Sequence, residues 1–565
     1  MIGSRTLIRA LSRPLLSLVM LAALLGGVGL GNELWTPDEP RVAAIGRTMW
    51  RSGDWTLPRL NGEPFLEKPP FYWWVQAGIF TLAGRATAPL ARLPSALFAF
   101  ASVLLTYAIG RRYFTRDACL LAGLVLLSMS DFALASHWVV VDNALLFSVT
   151  GVLACFVHAE NRSGRSRALL LAGMYAFAAA AFFSKGVVGL GVPVIGVATY
   201  LIWSGRLRAF TGWHLLAGGA ALALLVGAWL HALWRAGGPA LLDEFLIQNQ
   251  LGRFFPGGVS TEWGHRRPYW YYALNAPGDW LPWTPFLVLA VVSARRNWDR
   301  LEPGWRDGLR FCAATSLSVL LALSLAGTKR SLYLLPIYPL VALAVGAWMV
   351  ADVERALWER RLERAAAWLI RVCALLCVPA VYVALALLRL DAWPGSLWSA
   401  ALLGAGWAAL RFPRPRTRTA ALASTALIAC LASAHLFAAL KPGLDGHKSF
   451  VPFVRELERW VPAERPLYAF QPPEATLGVI GFYTDRSVTP VDLDALRDLA
   501  RGHEKSWVVV RDREGSHGPY AVLREAGVPH RVVSETRVDD SRRFRILALG
   551  GDDAAAARAG EEREP

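Results

Sequence analysis

The stretch Asp38–Trp74, DEPRVAAIGRTMWRSGDWTLPRLNGEPFLEKPPFYWW, decides how the rest of the chain is read. It follows the first long apolar segment and sets Asp38, Glu39, Arg41, Glu67 and Lys68 close to apolar sequence. Charge beside a bilayer is costly unless a site uses it. The stretch therefore reads as half of an active site at the outer face of a membrane.

Composition supports the bilayer. Of 565 residues, 55% are apolar and 18% charged, a balance foreign to a soluble multidomain chain. Apolar runs close to spanning length recur thirteen times, roughly at 15–31, 92–110, 118–135, 139–158, 168–184, 186–203, 214–234, 279–293, 309–327, 331–350, 366–390, 396–410 and 419–440. The fold class expected is a polytopic α-helical membrane protein. The net charge of +16 resolves into short Arg clusters between alternate runs, from Arg111, Arg112 and Arg116 to Arg414, Arg416 and Arg418. That is the positive-inside pattern with a cytoplasmic N-terminus, and it argues for a lipid bilayer as partner and against nucleic acid. The six cysteines all fall in apolar runs, so no disulfide framework is expected. Arg5, Arg9 and Arg13 before LLSLVMLAALLGGVGLG resemble a signal peptide, but no small-x-small cleavage site leads into a soluble domain, and an uncleaved first span is expected.

On this topology the non-cytoplasmic side holds the loops 32–91 and 235–278, the turns near 136–142, 184–186 and 327–331, and everything after Lys441. Residues 1–440 read as a transmembrane catalytic domain carrying those two loops. In 441–550, SWVVVRD and RFRILALG alternate with FVRELERWV and LDALRDLARG, which predicts a small α/β domain. Residues 551–565, GDDAAAARAGEEREP, read as a disordered tail.

In TPDEPR, Pro at a first helical position makes Glu39 the N-cap and leaves Asp38 free. Val42, Ile45, Gly46 and Met49 then form the apolar face of an interfacial helix, with Arg47 and Arg51 pointing elsewhere. The plain alternative is that both acids only cap a helix. Glu67 and Lys68 are held by Pro69 and Pro70, and the aromatics at 71–74 suit a membrane interface. Asp142 opens the fourth span, and Lys185 sits between two spans, where snorkelling to headgroups is its plain alternative. The loop EWGHRRPYWYY offers His265, Arg266 and Arg267, and GTKRSLYLLPIYP offers Lys329, Arg330, Tyr333 and Tyr338. Basic residues here run against the charge bias, so an anion is expected to meet them.

Carboxylates, cations, a histidine and aromatics on one face beside lipid fit transfer of a sugar from a lipid-linked phosphate. The leaving phosphate needs charge compensation, from Lys68, Arg266, Arg267, Lys329 or a metal. The acceptor needs a base, the role given to Asp38. Glu67 and His265 are a carboxylate–imidazole pair suited to a divalent metal.

The run DEPR, SGDW and PRLNGEPFLEKPPFYWW resembles the first outer loop of the bacterial branch of the protein mannosyltransferase superfamily, which has the GT-C fold. VDNALLF, SKGVVGLGVP and TKRSLYLLPIYPL resemble later motifs of that family, and Pro40 departs from its commoner small residue. The resemblance implies an inverting, metal-associated (Zn, Mg or Mn) enzyme, a monomer taking a sugar from a polyprenyl-phosphate donor. The candidate sugar is 4-amino-4-deoxy-L-arabinose and the candidate acceptor lipid A or another envelope glycan. It implies Asp38, flanked by Glu39, and Asp142 as catalytic acids. Lys68, Arg266, Arg267, Lys329, Arg330, Tyr333 and Tyr338 would meet the donor phosphate, and Glu67 and His265 the metal. The rival readings are transfer to protein and, in a different class, a polyprenyl-phosphate flippase. A flippase would line its path with mid-span polar residues, and these spans are almost clean of them.

Overall fold

The computed structural model describes residues 14–252, 266–390, 396–411, 417–513, 519–539 and 542–550. The chain divides into two compact units, one of Met1–Gly31, Leu66–Val75 and Arg92–Pro442, the other of Asn32–Phe65, Gln76–Ala91 and Gly443–Pro565. The first long loop therefore groups largely with the C-terminal region, where the sequence placed it within 1–440. The predicted tail 551–565 lies outside the described residues.

The first unit is helical. Among the described residues eight helices are long and apolar enough to cross a membrane, or nine if Arg116–Leu127 and Ser130–Ser136, bent by 70°, make one broken span. The remaining predicted runs differ in length: Pro14–Gly27, Thr284–Arg296 and Ser396–Arg411 have 14, 13 and 16 residues, below the ~20 that a straight span needs. Runs 168–184 and 186–203 form one helix, Gly164–Trp203, broken at Lys185 and Gly186. Gly186 has φ +59°, and a Cβ there would lie 2.0 Å from Gln250 Oε1. Only glycine meets both demands. The aromatics expected as an interface belt are internal instead, because Pro70 leads straight into the helix Phe71–Ala83. Tyr72 and Trp73 are fully buried, and the Tyr72 hydroxyl lies 2.9 Å from Ser95 Oγ.

The second unit carries the predicted α/β region. After a short hairpin, β1 (Arg59–Leu60) and β2 (Glu63–Pro64), come β3 (Leu467–Phe470), β4 (Thr489–Val491), β5 (Ser506–Arg513), β6 (Arg531–Asp539) and β7 (Arg542–Leu549). The last five form one sheet in the order β4-β3-β5-β7-β6. β3 is parallel to β4 and β5, and β7 is antiparallel to β5 and β6. The chain steps from β3 out to β4 and back past β3 to β5, so right-handed crossovers put the two linking helices on opposite faces. Val479 and Ile480 of Glu474–Thr484 pack with Trp507 and Val509, while Leu496 and Ala500 of Leu493–Arg501 pack with Val508 and Val510. Burial on both faces explains the uninterrupted WVVV run.

The helix expected from Pro40 begins earlier and spans Asp38–Ser52. Glu39 is inside its first turn, and its carboxylate accepts the Trp35 backbone N–H at 2.8 Å. Val42, Ile45, Gly46 and Met49 are buried as expected, but against protein. A Cβ on Gly478 would lie 2.6 Å from Arg41 Cα, and one on Gly46 would meet Gln76 at 1.9 Å. Arg47 and Arg51 both reach Asp485 at 3.3 Å. The interfacial-helix expectation fails because Gly478 lets this helix seat on Glu474–Thr484 and Gly46 lets it close on Gln76 of Phe71–Ala83. Replacing Gly478 with Ala should cost about 1–3 kcal/mol by overpacking, read as a lower thermal midpoint of the purified protein; an unchanged midpoint would show that the crossing has slack.

Candidate active site

Six predicted residues of the helical unit come together. Asp142 is the first residue of the helix Asp142–Ala159, where the dipole favours an acid. Its carboxylate accepts from the Lys185 ammonium, and Lys185 Nζ also lies 3.6 Å from the centroid of the Tyr333 ring. Lys185 turns inward to a carboxylate and an aromatic face, not outward to headgroups. Lys68 and Arg330 lie within electrostatic reach of the same pair. In front of it is a small open recess, a cavity of about 70 Å³, lined by Glu67, Lys68, Lys185, Asn249, Gln250 and Tyr333 among others. Three cations (Lys68, Lys185, Arg330) set against two carboxylates (Asp142, Glu67) leave a net positive field. Such a field suits a phosphate.

Asn249 and Gln250 went unread in the sequence. Gln250 is 7% exposed, and its Oε1 accepts the Val187 N–H at 3.1 Å, just past the helix break. Both sit in the π-helical turn Asp243–Leu251, and amides in DEFLIQNQL carry no signal beyond that of a helix surface.

Other predicted contacts are used elsewhere. Lys329 is 3% exposed, and its ammonium donates to the carbonyls of Ala326 and, at 3.0 Å, Arg267. Burial lowers its basicity, and with the Arg266–Thr328 bridge it ties two loop segments together. Tyr338 is fully buried, edge-on to Trp280 at 6.3 Å, so it is a core residue rather than a phosphate contact. Arg266 and Arg267 are exposed. Arg267, with Arg330 and Tyr271, lines a second recess of about 280 Å³.

His265 lies outside the described residues. Among the described residues no group of three His, Cys, Asp or Glu side chains could hold a metal. At the recess Glu67 stands beside two ammonium groups and Asp142 is held by Lys185. Without His265, the described side chains do not by themselves make a divalent-cation site.

In the second unit, Arg41 Nη2 donates to Asp38 Oδ1 at 2.8 Å, and Nη1 donates to Glu474. Asp38 is thus paired where the sequence left it free. Glu39, 2% exposed and bonded to backbone, is structural and not a second catalytic acid.

Comparison with known proteins gives a consistent class. A family model described as dolichyl-phosphate-mannose-protein mannosyltransferase matches residues 67–231. The undecaprenyl phosphate-alpha-4-amino-4-deoxy-L-arabinose arabinosyl transferase of Aeromonas salmonicida is 28% identical over 395 residues, 67% of this chain and 68% of that protein. Its counterpart 1 in Sodalis glossinidius is 30% identical over 328 residues, 56% of this chain and 55% of that one. The match thus spans between about half and two thirds of these relatives. The crystal structure of ArnT from Cupriavidus metallidurans bound to undecaprenyl phosphate superposes with a TM-score of 0.75 at 21% identity, covering 94% of this chain and 97% of that one. The chain is a multi-pass membrane protein with the fold of the GT-C glycosyltransferases. Within that class it is similar to the undecaprenyl phosphate-aminoarabinose arabinosyl transferases.

Removing one partner of a buried ion pair leaves the other charge stranded. Asp142→Asn and Lys185→Met should each cost about 3–5 kcal/mol, and the double variant less than their sum. A thermal double-mutant cycle showing simple additivity would mean that the two side chains are not coupled.

Proposed function

We propose that this chain transfers a sugar from a polyprenyl-phosphate donor to an envelope acceptor, with 4-amino-4-deoxy-L-arabinose as the sugar and lipid A as the acceptor. The single observation that carries the reading is the recess lined by Lys68, Lys185 and Glu67, with Arg330 within electrostatic reach of the Asp142–Lys185 pair, so that cations outnumber carboxylates beside an apolar helical scaffold. An acceptor oxygen attacks the anomeric carbon, the bond from that carbon to the phosphate oxygen breaks, and the polyprenyl phosphate leaves with the electron pair. Its growing negative charge is what Lys68 and Arg330 compensate. Asp38 receives the acceptor proton. Asp142 keeps Lys185 charged and aimed across Tyr333. The similarity to arabinosyl transferases that use undecaprenyl phosphate supports the donor.

We place the chain in the inner membrane as a monomer, with a cytoplasmic N-terminus and a periplasmic C-terminal region. The Glu67–His265 pair is proposed as a metal-binding pair, with no role assigned to the metal. Elemental analysis checks it: Glu67→Gln and His265→Ala should both lower bound metal, and unchanged stoichiometry in both removes the metal from the account.

The transfer assay uses purified protein, polyprenyl-phosphate aminoarabinose and lipid A. Asp38→Asn should lower turnover by roughly 10²–10⁴-fold, the usual worth of a general base, with expression intact. Lys68→Ala should raise the donor concentration needed. Near-wild-type turnover of Asp38→Asn rejects that residue as the base, and a changed acceptor dependence alone rejects Lys68 as a donor contact.

A further inference from the structure

We propose that Glu474, from the C-terminal region, is a positioning residue for the transfer: it holds Arg41, and through Arg41 it fixes how the Asp38 carboxylate is presented. The inference rests on the reading of Asp38 as the base.

The placement follows from the chain. Pro472 and Pro473 end the strand segment and the helix Glu474–Thr484 starts directly after them. Glu474 lies in its first turn, where an acid is favoured. Gly478, one turn on and on the same face, packs directly on the backbone of Asp38–Ser52; a Cβ there would sit 2.6 Å from Arg41 Cα and 2.7 Å from its amide nitrogen. The contact at Gly478 therefore sets Glu474 beside the Arg41 guanidinium.

That guanidinium is a rigid planar fork. One arm, Nη1, is taken by Glu474 and the other, Nη2, by Asp38, and the ring of Phe65 lies 5.6 Å from its central carbon. Held by two carboxylates and an aromatic face, the guanidinium gives Asp38 one arm. Without Glu474 it is released to rotate and grip both Asp38 oxygens in the bidentate mode it favours. A base gripped that way no longer has its lone pairs arranged for the acceptor proton. Glu474 so acts without touching substrate.

The test compares purified full-length wild type, Glu474→Gln, Glu474→Asp, Arg41→Met and the Glu474→Gln/Arg41→Met double variant in the transfer assay. Glu474→Gln is expected to lower kcat by about 10-fold, a fraction of what a general base contributes, while donor KM moves less than about twofold. Glu474→Asp should recover most of that loss, and Glu474→Gln should add nothing once Arg41 is Met. Wild-type kcat in Glu474→Gln overturns the proposal. So does an equal loss in the Arg41→Met background, or a loss that tracks a lowered thermal midpoint and is not rescued by Asp. A wild-type protein that transfers nothing overturns the functional reading itself, and the inference falls with it.

Discussion

An ammonium enclosed by apolar helices stays charged only beside a counter-charge, and the Asp142–Lys185 pair meets that condition here. The backbone is shaped around it. Asp142 takes the start of one helix, Lys185 takes the break of another, and Gly186 supplies the left-handed residue that the break needs. Gln250 then caps the freed Val187 amide, and Tyr333 offers its face to the ammonium. With the pair neutralised within itself, the net positive field at the recess comes from Lys68 and Arg330, against Glu67. That division separates holding the site together from receiving a phosphate.

The second unit solves a related problem with a guanidinium. Arg41 joins Asp38 to Glu474, a carboxylate 433 residues further along the chain from Arg41 itself, and glycines at 46 and 478 permit the helix contacts that bring its neighbours close. A five-stranded sheet with helices on both faces gives the Glu474–Thr484 helix a rigid base. In the proposed reaction this is the use of the C-terminal region: it supports the loop helix that carries Asp38.

Much of this was legible in the sequence. Apolar runs and Arg clusters announced a multi-pass helical protein, and the strand-like segments SWVVVRD and RFRILALG alternating with helix-like ones announced the sheet. Glu67, Lys68, Asp142 and Tyr333 stood out because charge or aromatic groups interrupted apolar sequence. What stayed hidden was pairing. Spacing does not show that Lys329 bends back onto carbonyls, that Tyr338 is core, or that Glu474 meets Arg41. Helix length was also overcounted, since a run of apolar residues does not reveal a turn such as the one at Ser128–Met129, between the helices Arg116–Leu127 and Ser130–Ser136. The Asp38–Ser52 helix was assigned to lipid because its apolar face is the same whether lipid or a second helix covers it.

The central claim is that the recess lined by Lys68, with Arg330 nearby, recognises the phosphate of an isoprenoid carrier rather than its hydrocarbon. Binding of undecaprenyl phosphate and of the uncharged alcohol undecaprenol to the purified protein in nanodiscs, measured side by side, tests it directly. The account predicts that the phosphate binds at least about tenfold tighter, a difference of roughly 1.4 kcal/mol, and that Lys68→Met removes most of that preference while leaving alcohol binding alone. Equal affinity for the two lipids in the wild-type protein would contradict it.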